Sequence, residues 1–314
     1  MDRWENQIDS AKTPRAWVVG RNGLLGKSLE FRLAKSTKIW IPDAKANWAD
    51  QQAAENWVEQ NCAAFFREVG DNDWVIAWCA GRSVVGSTQD QINNETSLLE
   101  VFFKQVQRSA PKKPRGKVFF ASSAGGIYAG STDSLITESS APKPISDYGR
   151  GKINHESIFR AHSQKLGIDC YIGRIANLYG PGQDISKPQG LISQLCRSTI
   201  LKRPLNIYVP LQTSRNYIFV DDAAGIIADL IQGDESYVEK IIAAPQNATI
   251  STLIRTHFEV FKKKPLISLG VSSLTNKQPQ RLNFKSQIMT ELDDRQFRSL
   301  ASGFRATMKM GLKT

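Results

Sequence analysis

The sequence is poor in the residues that build metal and redox sites. It contains four cysteines and three histidines in 314 residues. The cysteines form no CxxC pair, so their spacing supports neither zinc ligation nor a redox motif. No histidine lies near a cluster of Asp, Glu or Cys at metal-ligand spacing. We therefore expect no metal site, and we interpret the cysteines as reduced packing residues: Cys62, Cys79, Cys170 and Cys196.

Long apolar runs are also missing. No uninterrupted apolar stretch approaches the roughly 20 residues that a membrane-spanning helix needs. Residues 1–15 lack the apolar segment of a secretory signal. We expect a cytoplasmic protein without a membrane span.

The length of the chain and its net charge indicate how many domains it forms and which partners it favours. At roughly 150 residues per domain, the chain is long enough for about two packed units. Lys and Arg outnumber Asp and Glu by 41 to 30, giving a net charge of +11, which favours a nucleic acid, an anionic lipid or a phosphorylated small molecule. The densest basic stretches, residues 111–117 and 262–264, have no interleaved aromatics. Because stacking platforms for bases use aromatic side chains, no nucleic-acid partner is expected.

Apolar segments alternate between strand and helix periodicity over the first 175 residues. This alternation predicts an α/β fold of the Rossmann type, with a doubly wound parallel sheet and ligands at the carboxyl ends of the strands. A smaller C-terminal substrate-binding domain is expected to follow. The expected dinucleotide-binding domain is 1–178, with 215–242 returning to it, and 179–314 mainly forms the substrate-binding domain. The predicted strands are 16–19, 38–41, 74–80, 118–122 and 169–175, and the predicted helices are 25–34, 50–69, 92–108 and 148–165. Asp50 is the predicted N-cap of the second helix.

A glycine turn, GRNGLLG at residues 20–26, follows the first strand and opens the first helix. Glycines at this position allow a tight turn and let backbone N–H groups approach a pyrophosphate at the helix N-terminus. A tight turn without a ligand is the alternative. In this context we favour a dinucleotide, held by Gly20, Asn22, Gly23, Leu24, Leu25 and Gly26.

Asp43 lies 23 residues after Gly20, just past the second strand. A carboxylate there accepts hydrogen bonds from the adenosine ribose and repels a 2′-phosphate, which favours NAD. Arg21, inside the glycine turn, would instead favour a 2′-phosphate, so NADP stays open.

Tyr148 and Lys152 are four residues apart on a predicted helix and project from one face. An ammonium held beside a phenol stabilises the phenolate, as an acid/base tyrosine requires. Ser122 and Ser123 end the preceding strand, at the sheet edge where substrates bind. A hydroxyl there would hydrogen-bond the same substrate oxygen that the tyrosine deprotonates.

Six segments in this order resemble the extended short-chain dehydrogenase/reductase family, the NAD-dependent nucleotide-sugar epimerases and dehydratases. The likeness runs from about residue 17 to residue 231. The segments are GRNGLLG (20–26), WCAG (78–81), ASSAGGIY (121–128), YGRGK (148–152), RIANLYGPGQ (174–183) and RNYIFVDDAA (215–224).

The resemblance implies roles for individual residues. Tyr148 would be the catalytic base, Lys152 would hold the nicotinamide ribose, and Ser123 would polarise the substrate hydroxyl. Ser122 is the alternative, because the serine loop aligns in two ways. Asn177 and Arg215 are implied as ligands of the sugar nucleotide's diphosphate. Further implied cofactor contacts are Asp43, Ala80, Gly81, Ser122, Tyr148, Lys152 and Ile175.

The sequence departs from the family pattern near the helix predicted from residue 92. The usual asparagine and glycine-threonine spacing is missing there, which leaves Asn93 and Asn94 unassigned. A 4,6-dehydratase is disfavoured, because the family places Asp-Glu after the serine or threonine and this chain has Ala-Gly-Gly after Ser123.

We expect an NAD-dependent nucleotide-sugar epimerase, acting at C4 of a UDP-sugar. An NAD(P)H-dependent nucleotide-sugar or keto-sugar reductase is the alternative. A third interpretation is a catalytically silent protein that binds a dinucleotide and acts as a regulator or binds RNA. The intact Tyr148/Lys152 pair argues against this interpretation. A homodimer through helices 92–108 and 148–165 is implied by the resemblance.

Overall fold

The structure is a computed structural model that describes residues 13–113, 115–183, 190–270 and 280–311. Residues 1–12, where the sequence predicts no signal segment, lie outside the described residues. Within the described part, no helix combines the length and apolar character needed to cross a lipid bilayer.

A six-stranded parallel sheet forms the centre of the fold. Its strands run in the spatial order β2-β1-β3-β4-β5-β9, with parallel pairing throughout. The strands are β1 (Arg15–Val19), β2 (Lys38–Trp40), β3 (Trp74–Trp78), β4 (Gly116–Ser123), β5 (Asp169–Ile175) and β9 (Tyr237–Ile242). All carboxyl ends meet at one edge, as the sequence predicts.

Helices cover both faces of this sheet, because the side chains of its central strands are apolar on both sides. In β3, Val75 and Ala77 pack on the face with the first and seventh helices, whereas Trp74, Ile76 and Trp78 pack on the opposite face. The helices around the central sheet are α1 (Leu24–Leu33), α2 (Gln51–Val69), α3 (Gln89–Ser109), α4 (Ala124–Ile127), α5 (Asp147–Leu166) and α7 (Val220–Gln232).

The C-terminal part of the chain forms most of a smaller unit, which has its own apolar cluster. It contains the helices α6 (Leu191–Leu201), α8 (Ile250–Phe261) and α9 (Leu300–Gly311), which contact one another. The structure also contains two short sheets. They are formed by β6 (Asn177–Tyr179), β8 (Ser214–Phe219) and β10 (Asn247–Thr249), and by β7 (Leu205–Ile207) and β11 (Ile267–Leu269); Thr290–Asp293 is a 3₁₀ helix.

Several boundaries differ from the sequence-based prediction. Helix α3 begins at Gln89 rather than at residue 92, because Thr88 and Gln91 form a capping box that satisfies the first backbone donors. Strand β3 ends at Trp78 rather than at Ala80. Asp50 is the N-cap of α2, as expected, and its carboxylate accepts a hydrogen bond from the Ala53 backbone N–H.

Candidate active site

The glycine turn forms one end of a groove along the carboxyl edge of the sheet. The Gly23 N–H donates to the Gly20 carbonyl at 2.9 Å, and Gly20 adopts the left-handed φ of +86°. A Cβ on Gly26 would lie 2.3 Å from the Gly20 oxygen, so only glycine allows the helix to pack this closely. Gly23 caps α1 without a side-chain hydrogen bond, which leaves the first N–H groups of the helix available to an anion.

The turn lines a cleft of about 440 Å³ together with Asp43 and Gly81. Arg21 also borders the cleft, but its guanidinium is held by the Glu30 carboxylate through two hydrogen bonds, of 2.6 and 2.7 Å. This pairing raises the pKa of Arg21. Asp43 therefore faces the cleft while Arg21 is engaged with α1.

A second cavity, of about 350 Å³, continues the groove toward α5 and is bordered by Lys152. The two cavities share Trp48, Ala80, Gly81 and Arg82, so the predicted contacts Ala80 and Gly81 line the middle of the groove. Both volumes lie in the usual range of ligand pockets.

The candidate catalytic tyrosine lies against the loop that follows β4. A Cβ on Gly126 would lie 2.8 Å from Cε1 of the Tyr148 ring and 3.4 Å from the Ser123 hydroxyl oxygen. The absent side chain therefore brings the ring and the hydroxyl together. The Ser123 hydroxyl accepts a hydrogen bond from the Gly126 backbone N–H at 3.1 Å, so its own proton remains available for a substrate oxygen.

Lys152 lies between these side chains and the groove. It is 7% exposed, and its Nζ donates a long hydrogen bond of 3.4 Å to the Ala121 carbonyl. The Nζ lies 5.8 Å from the Tyr148 ring centroid and 4.9 Å from that of Phe120. A Cβ on Gly81 would lie 3.9 Å from this Nζ, so the ammonium reaches the middle of the groove.

Ser122 takes no part in this arrangement through its hydroxyl. That hydroxyl is buried and donates to the Glu156 carboxylate at 2.6 Å. Glu156 is in turn paired with Arg174 at 2.6 Å. The alternating direction of side chains in β4 turns the Ser122 hydroxyl toward Glu156, and the cofactor contact of Ser122 stays a prediction. Of the two serines, Ser123 is the one beside Tyr148.

Three of the residues predicted to contact the cofactor are apolar, and their side chains pack into the apolar clusters of the protein. Leu25 and Ile175 are 8% and 7% exposed and pack in the core, and Leu24 packs against the smaller unit. Their backbone groups remain at the sheet edge, since Leu24 begins α1 and Ile175 ends β5.

The two predicted diphosphate ligands lie on neighbouring strands. Asn177 in β6 is in register with Tyr217 in β8, two residues after Arg215. The Asn177 side chain donates to the Asn216 carbonyl at 2.9 Å, and Arg215 donates to the Ser214 carbonyl at 2.8 Å. Burial lowers the pKa of Arg215 and raises the pKa of Tyr217 to about 12.

The family model of the NAD dependent epimerase/dehydratase family matches residues 16–242, more than two thirds of the chain. The chain belongs to this family. The expected family, enzyme class and nicotinamide cofactor are thereby confirmed, and residues 16–242 include the glycine turn, Ser123, Tyr148 and Lys152.

Curated relatives match over parts of their length. The dTDP-4-dehydro-6-deoxyglucose reductase of Escherichia coli is 29% identical over 193 residues, which are 61% of this chain and 58% of that protein. The next two relatives are covered over 35% and 34% of their length. The chain thus spans about three fifths or less of these proteins.

Solved structures of the family share the fold. The UDP-glucuronic acid 4-epimerase of Bacillus cereus, in complex with UDP-glucuronic acid and NAD, superposes with a TM-score of 0.75 at 17% identity, covering 95% of this chain and 99% of that one. The UDP-glucose 4-epimerase of Thermotoga maritima, with UDP-glucose, gives 0.76 at 17% identity and the same coverage. The expected Rossmann-type fold is confirmed.

The residues present fit the family's cofactor. The groove starts at an uncapped helix N-terminus and a turn without side chains, which suits a pyrophosphate. Lys152 borders its far end, and the centroid of the Tyr148 ring lies 5.8 Å from the Lys152 Nζ.

Glu95 is a charged residue of the groove that sequence reasoning missed. Its carboxylate accepts hydrogen bonds from the backbone N–H groups of Arg82 and Ser83, at 2.5 and 2.6 Å. A Cβ on Gly81 would lie within 3.8 Å of both carboxylate oxygens. Glu95 thus anchors the loop after β3, and its carboxylate and the Lys152 ammonium both lie within 4 Å of the Cβ position of Gly81. The one available signal was its position beside Asn93 and Asn94, where the sequence departs from the family pattern.

Proposed function

We propose that this protein is an NAD-dependent nucleotide-sugar epimerase that acts at C4 of a UDP-sugar. The observation that carries the proposal is the contact across Gly126, which places the Tyr148 ring beside the Ser123 hydroxyl. Lys152 lies on the same helix and reaches Gly81 in the groove. A cation thus borders one end of a dinucleotide-sized groove, and the proposed base lies near this cation with the hydroxyl donor beside it.

In this proposal each side chain has one task. A nicotinamide cofactor bound in the groove would supply reversible hydride transfer at the sugar carbon. Tyr148 takes the proton of the substrate hydroxyl and gives it back on return. Ser123 donates a hydrogen bond to the same oxygen through the proton that its bond to Gly126 leaves free. Lys152 stabilises the phenolate form of Tyr148 and holds the nicotinamide ribose near Gly81.

Epimerisation requires that the keto sugar turn within the site. Gly125 has open space at its Cβ position, and Ala124 and Gly126 are its small neighbours. Ala124 is fully buried and Gly126 is packed against the Tyr148 ring, so the open space in this loop is the one at Gly125. Asn177 and Arg215 are proposed to bind the diphosphate, for which a planar guanidinium is suited.

NAD rather than NADP is supported by the first cleft. Asp43 faces it, where a 2′-phosphate would meet a carboxylate, and Glu30 holds Arg21. Titration calorimetry with the two cofactors tests this assignment. We expect tighter binding of NAD, and tighter binding of NADP would contradict it.

The experiment that tests the reaction is incubation of purified protein with UDP-, GDP- and dTDP-sugars, with and without added NAD. NMR of the sugar products would detect C4 epimers. We expect epimers from a UDP-sugar without net consumption of the cofactor. The absence of epimers from every sugar would contradict the proposal.

A reductase is the second candidate, favoured by the 29% identity to a dTDP-4-dehydro-6-deoxyglucose reductase over 193 residues. It would use the same three side chains but consume one NAD(P)H per turnover. Stoichiometric oxidation of NAD(P)H by a keto sugar would replace the epimerase assignment with this one.

A homodimer through α3 and α5 remains part of the proposal. These helices pack against each other on one face of the sheet. Among the described residues, neither helix carries a strongly exposed large apolar side chain, so an interface there would be polar. Sedimentation of the full chain measures this assembly.

A further inference from the structure

The net charge of the protein is concentrated in the smaller unit. The segments 191–207, 250–269 and 300–311 contain nine of the 41 Lys and Arg but one of the 30 Asp and Glu. They account for +8 of the net charge of +11 in 49 of the 314 residues. The one acidic residue, Glu259, already faces Arg255 at 3.8 Å. Anionic partners are therefore attracted to this end of the molecule.

Large apolar side chains are exposed in the same unit. Leu201, Tyr208, Leu266 and Leu269 are 45%, 50%, 52% and 63% exposed. Neighbouring positions along the chain are basic and exposed. We call the whole set the basic apolar patch: Leu201, Lys202, Arg203, Tyr208, Lys262, Lys263, Lys264, Leu266 and Leu269.

Hydrogen bonds bring the parts of the patch together. The Ser198 hydroxyl, near the end of α6, contacts both the Arg203 and the Leu266 carbonyl, at 2.7 and 3.3 Å. The Leu205 N–H donates to the same Leu266 carbonyl at 2.8 Å. The two cations that follow α6, Lys202 and Arg203, are thus fixed beside the segment that comes after the three lysines at the end of α8.

The small β7/β11 sheet extends the patch. Ile207 is in register with Leu269, and the Gly270 N–H donates to the Ile207 carbonyl at 2.9 Å. A Cβ on Gly270 would lie 2.9 Å from the Tyr208 ring. The Tyr208 ring therefore lies over Gly270, the residue that follows Leu269 in the chain, and three lysines precede the strand by a few residues.

The composition of the patch distinguishes between anionic partners. A single-stranded nucleic acid is bound by cations together with aromatic stacking surfaces, and a duplex is bound mainly by cations at its phosphates. Neither uses exposed leucines, which are three of the four exposed apolar side chains here. Aliphatic side chains that project between cations match the headgroup and acyl boundary of an anionic bilayer. We propose that the basic apolar patch binds peripherally to the surface of membranes rich in anionic lipids. The protein thereby works at a membrane surface.

Flotation of the full-length protein with lipid vesicles tests the proposal. The vesicles contain phosphatidylcholine alone or an equal mixture with phosphatidylglycerol. We expect binding to the anionic vesicles that weakens with added salt, and at least tenfold weaker binding to the neutral ones. Each cation near the surface contributes about a fivefold change, so Lys263→Glu/Lys264→Glu should weaken binding more than twentyfold. The matched control, Lys112→Glu/Lys113→Glu, removes two exposed lysines elsewhere and should change binding less than about threefold.

Substitution of the exposed leucines tests whether the bound anion is a lipid. Leu266→Ser/Leu269→Ser should weaken vesicle binding about tenfold or more, because the lost apolar burial contributes to the affinity. Phe31→Ser, at a position 72% exposed on α1, is the matched control and should leave it unchanged.

Three outcomes would overturn the proposal. The first is equal binding of the patch and control variants to anionic vesicles, or no binding at all. The second is duplex RNA bound more tightly than vesicles, with the leucine changes having no effect. The third is a wild-type dimer in sedimentation that the leucine changes dissociate, since the patch would then be occupied by a second copy of this chain.

Discussion

Helix α5 carries two charged groups one turn apart, and their surroundings are opposite. Glu156, 3% exposed, accepts hydrogen bonds from the Ser122 hydroxyl and the Arg174 guanidinium, each at 2.6 Å. Arg174 also contacts Glu239 at 2.8 Å and the Tyr128 hydroxyl at 2.8 Å. Lys152 has one hydrogen bond among the described residues, of 3.4 Å. The Glu156 cluster is saturated, whereas Lys152 retains donors for a ligand.

This contrast separates a structural cluster from a reactive one. A buried charge with a full set of partners contributes to folding only as long as each partner remains. A buried cation whose one internal hydrogen bond is weak loses little free energy when it exchanges that bond for one to a ligand. The two clusters should therefore respond in opposite ways to substitution.

The largest effect is expected for Lys152→Met. Turnover should fall a hundred- to ten-thousand-fold, because the phenolate of Tyr148 loses its stabilising cation. The free energy of unfolding should change by less than about 1 kcal/mol, since a buried cation is replaced by a side chain of similar volume. Turnover and urea unfolding measure the two effects. If the free energy of unfolding fell together with turnover, Lys152 would act in folding rather than in the reaction.

Glu156→Gln should show the opposite pattern. It leaves the Arg174 guanidinium buried without its main counter-charge, which should cost about 3 kcal/mol in the free energy of unfolding. Glu100→Gln, at a half-exposed carboxylate beside His162, is the matched control and should cost less than about 1 kcal/mol. Urea unfolding of both variants is the measurement, and equal costs would remove the distinction between the two clusters.

His155, on the same helix, predicts a pH dependence. It is 2% exposed, and its Nε2 lies 3.0 Å from the Thr96 hydroxyl. Burial, and then the nearby Lys152, lower its pKa to about 4, while Glu95 opposes the shift. In the unfolded chain the pKa is about 6.5, so the unfolded state binds the extra proton between these values.

The contribution of His155 to stability is therefore complete above pH 6.5 and is lost as the pH falls toward 4, by up to about 3 kcal/mol. Urea unfolding across this range should give a shallower pH dependence for His155→Gln than for the wild type. Identical slopes would mean that the folded state already carries the charged imidazole.

The two serines at the end of β4 give the smallest expected effects. Ser122→Ala should cost about 2 kcal/mol of stability, because Glu156 loses a buried hydrogen bond, with turnover nearly unchanged. Ser123→Ala should lower turnover roughly thirtyfold, equal to about 2 kcal/mol at the transition state. Side-by-side kinetics and urea unfolding of the two variants decide the assignment. A reversed pattern would make Ser122 the catalytic serine.

The order of motifs predicted much of the site, because short-range patterns specify it. The glycine turn must follow a strand and open a helix, and the Tyr148/Lys152 spacing places both side chains on one helical face. Asp50 was predicted as an N-cap because its function depends on residues three positions away.

Strand β9 was missed for the opposite reason. Its sequence, YVEKII, places Glu239 and Lys240 in the middle of a strand, where charge argues against burial. Lys240 is fully buried because Ser286 and Asp293, about 50 residues later, supply its partners. Glu239 meets Arg174 from β5. Pairs at such sequence separation leave no local pattern, and the direction of the Ser122 side chain toward Glu156 was hidden in the same way.

The central claim is that Tyr148 moves the substrate proton within a site that binds the cofactor independently of it. The most direct measurement pairs calorimetric titration of NAD with turnover of the nucleotide sugar in Tyr148→Phe. We predict an NAD dissociation constant within about threefold of the wild type and a loss of turnover of at least about a hundredfold. Turnover within tenfold of the wild type, with NAD bound normally, would contradict the claim.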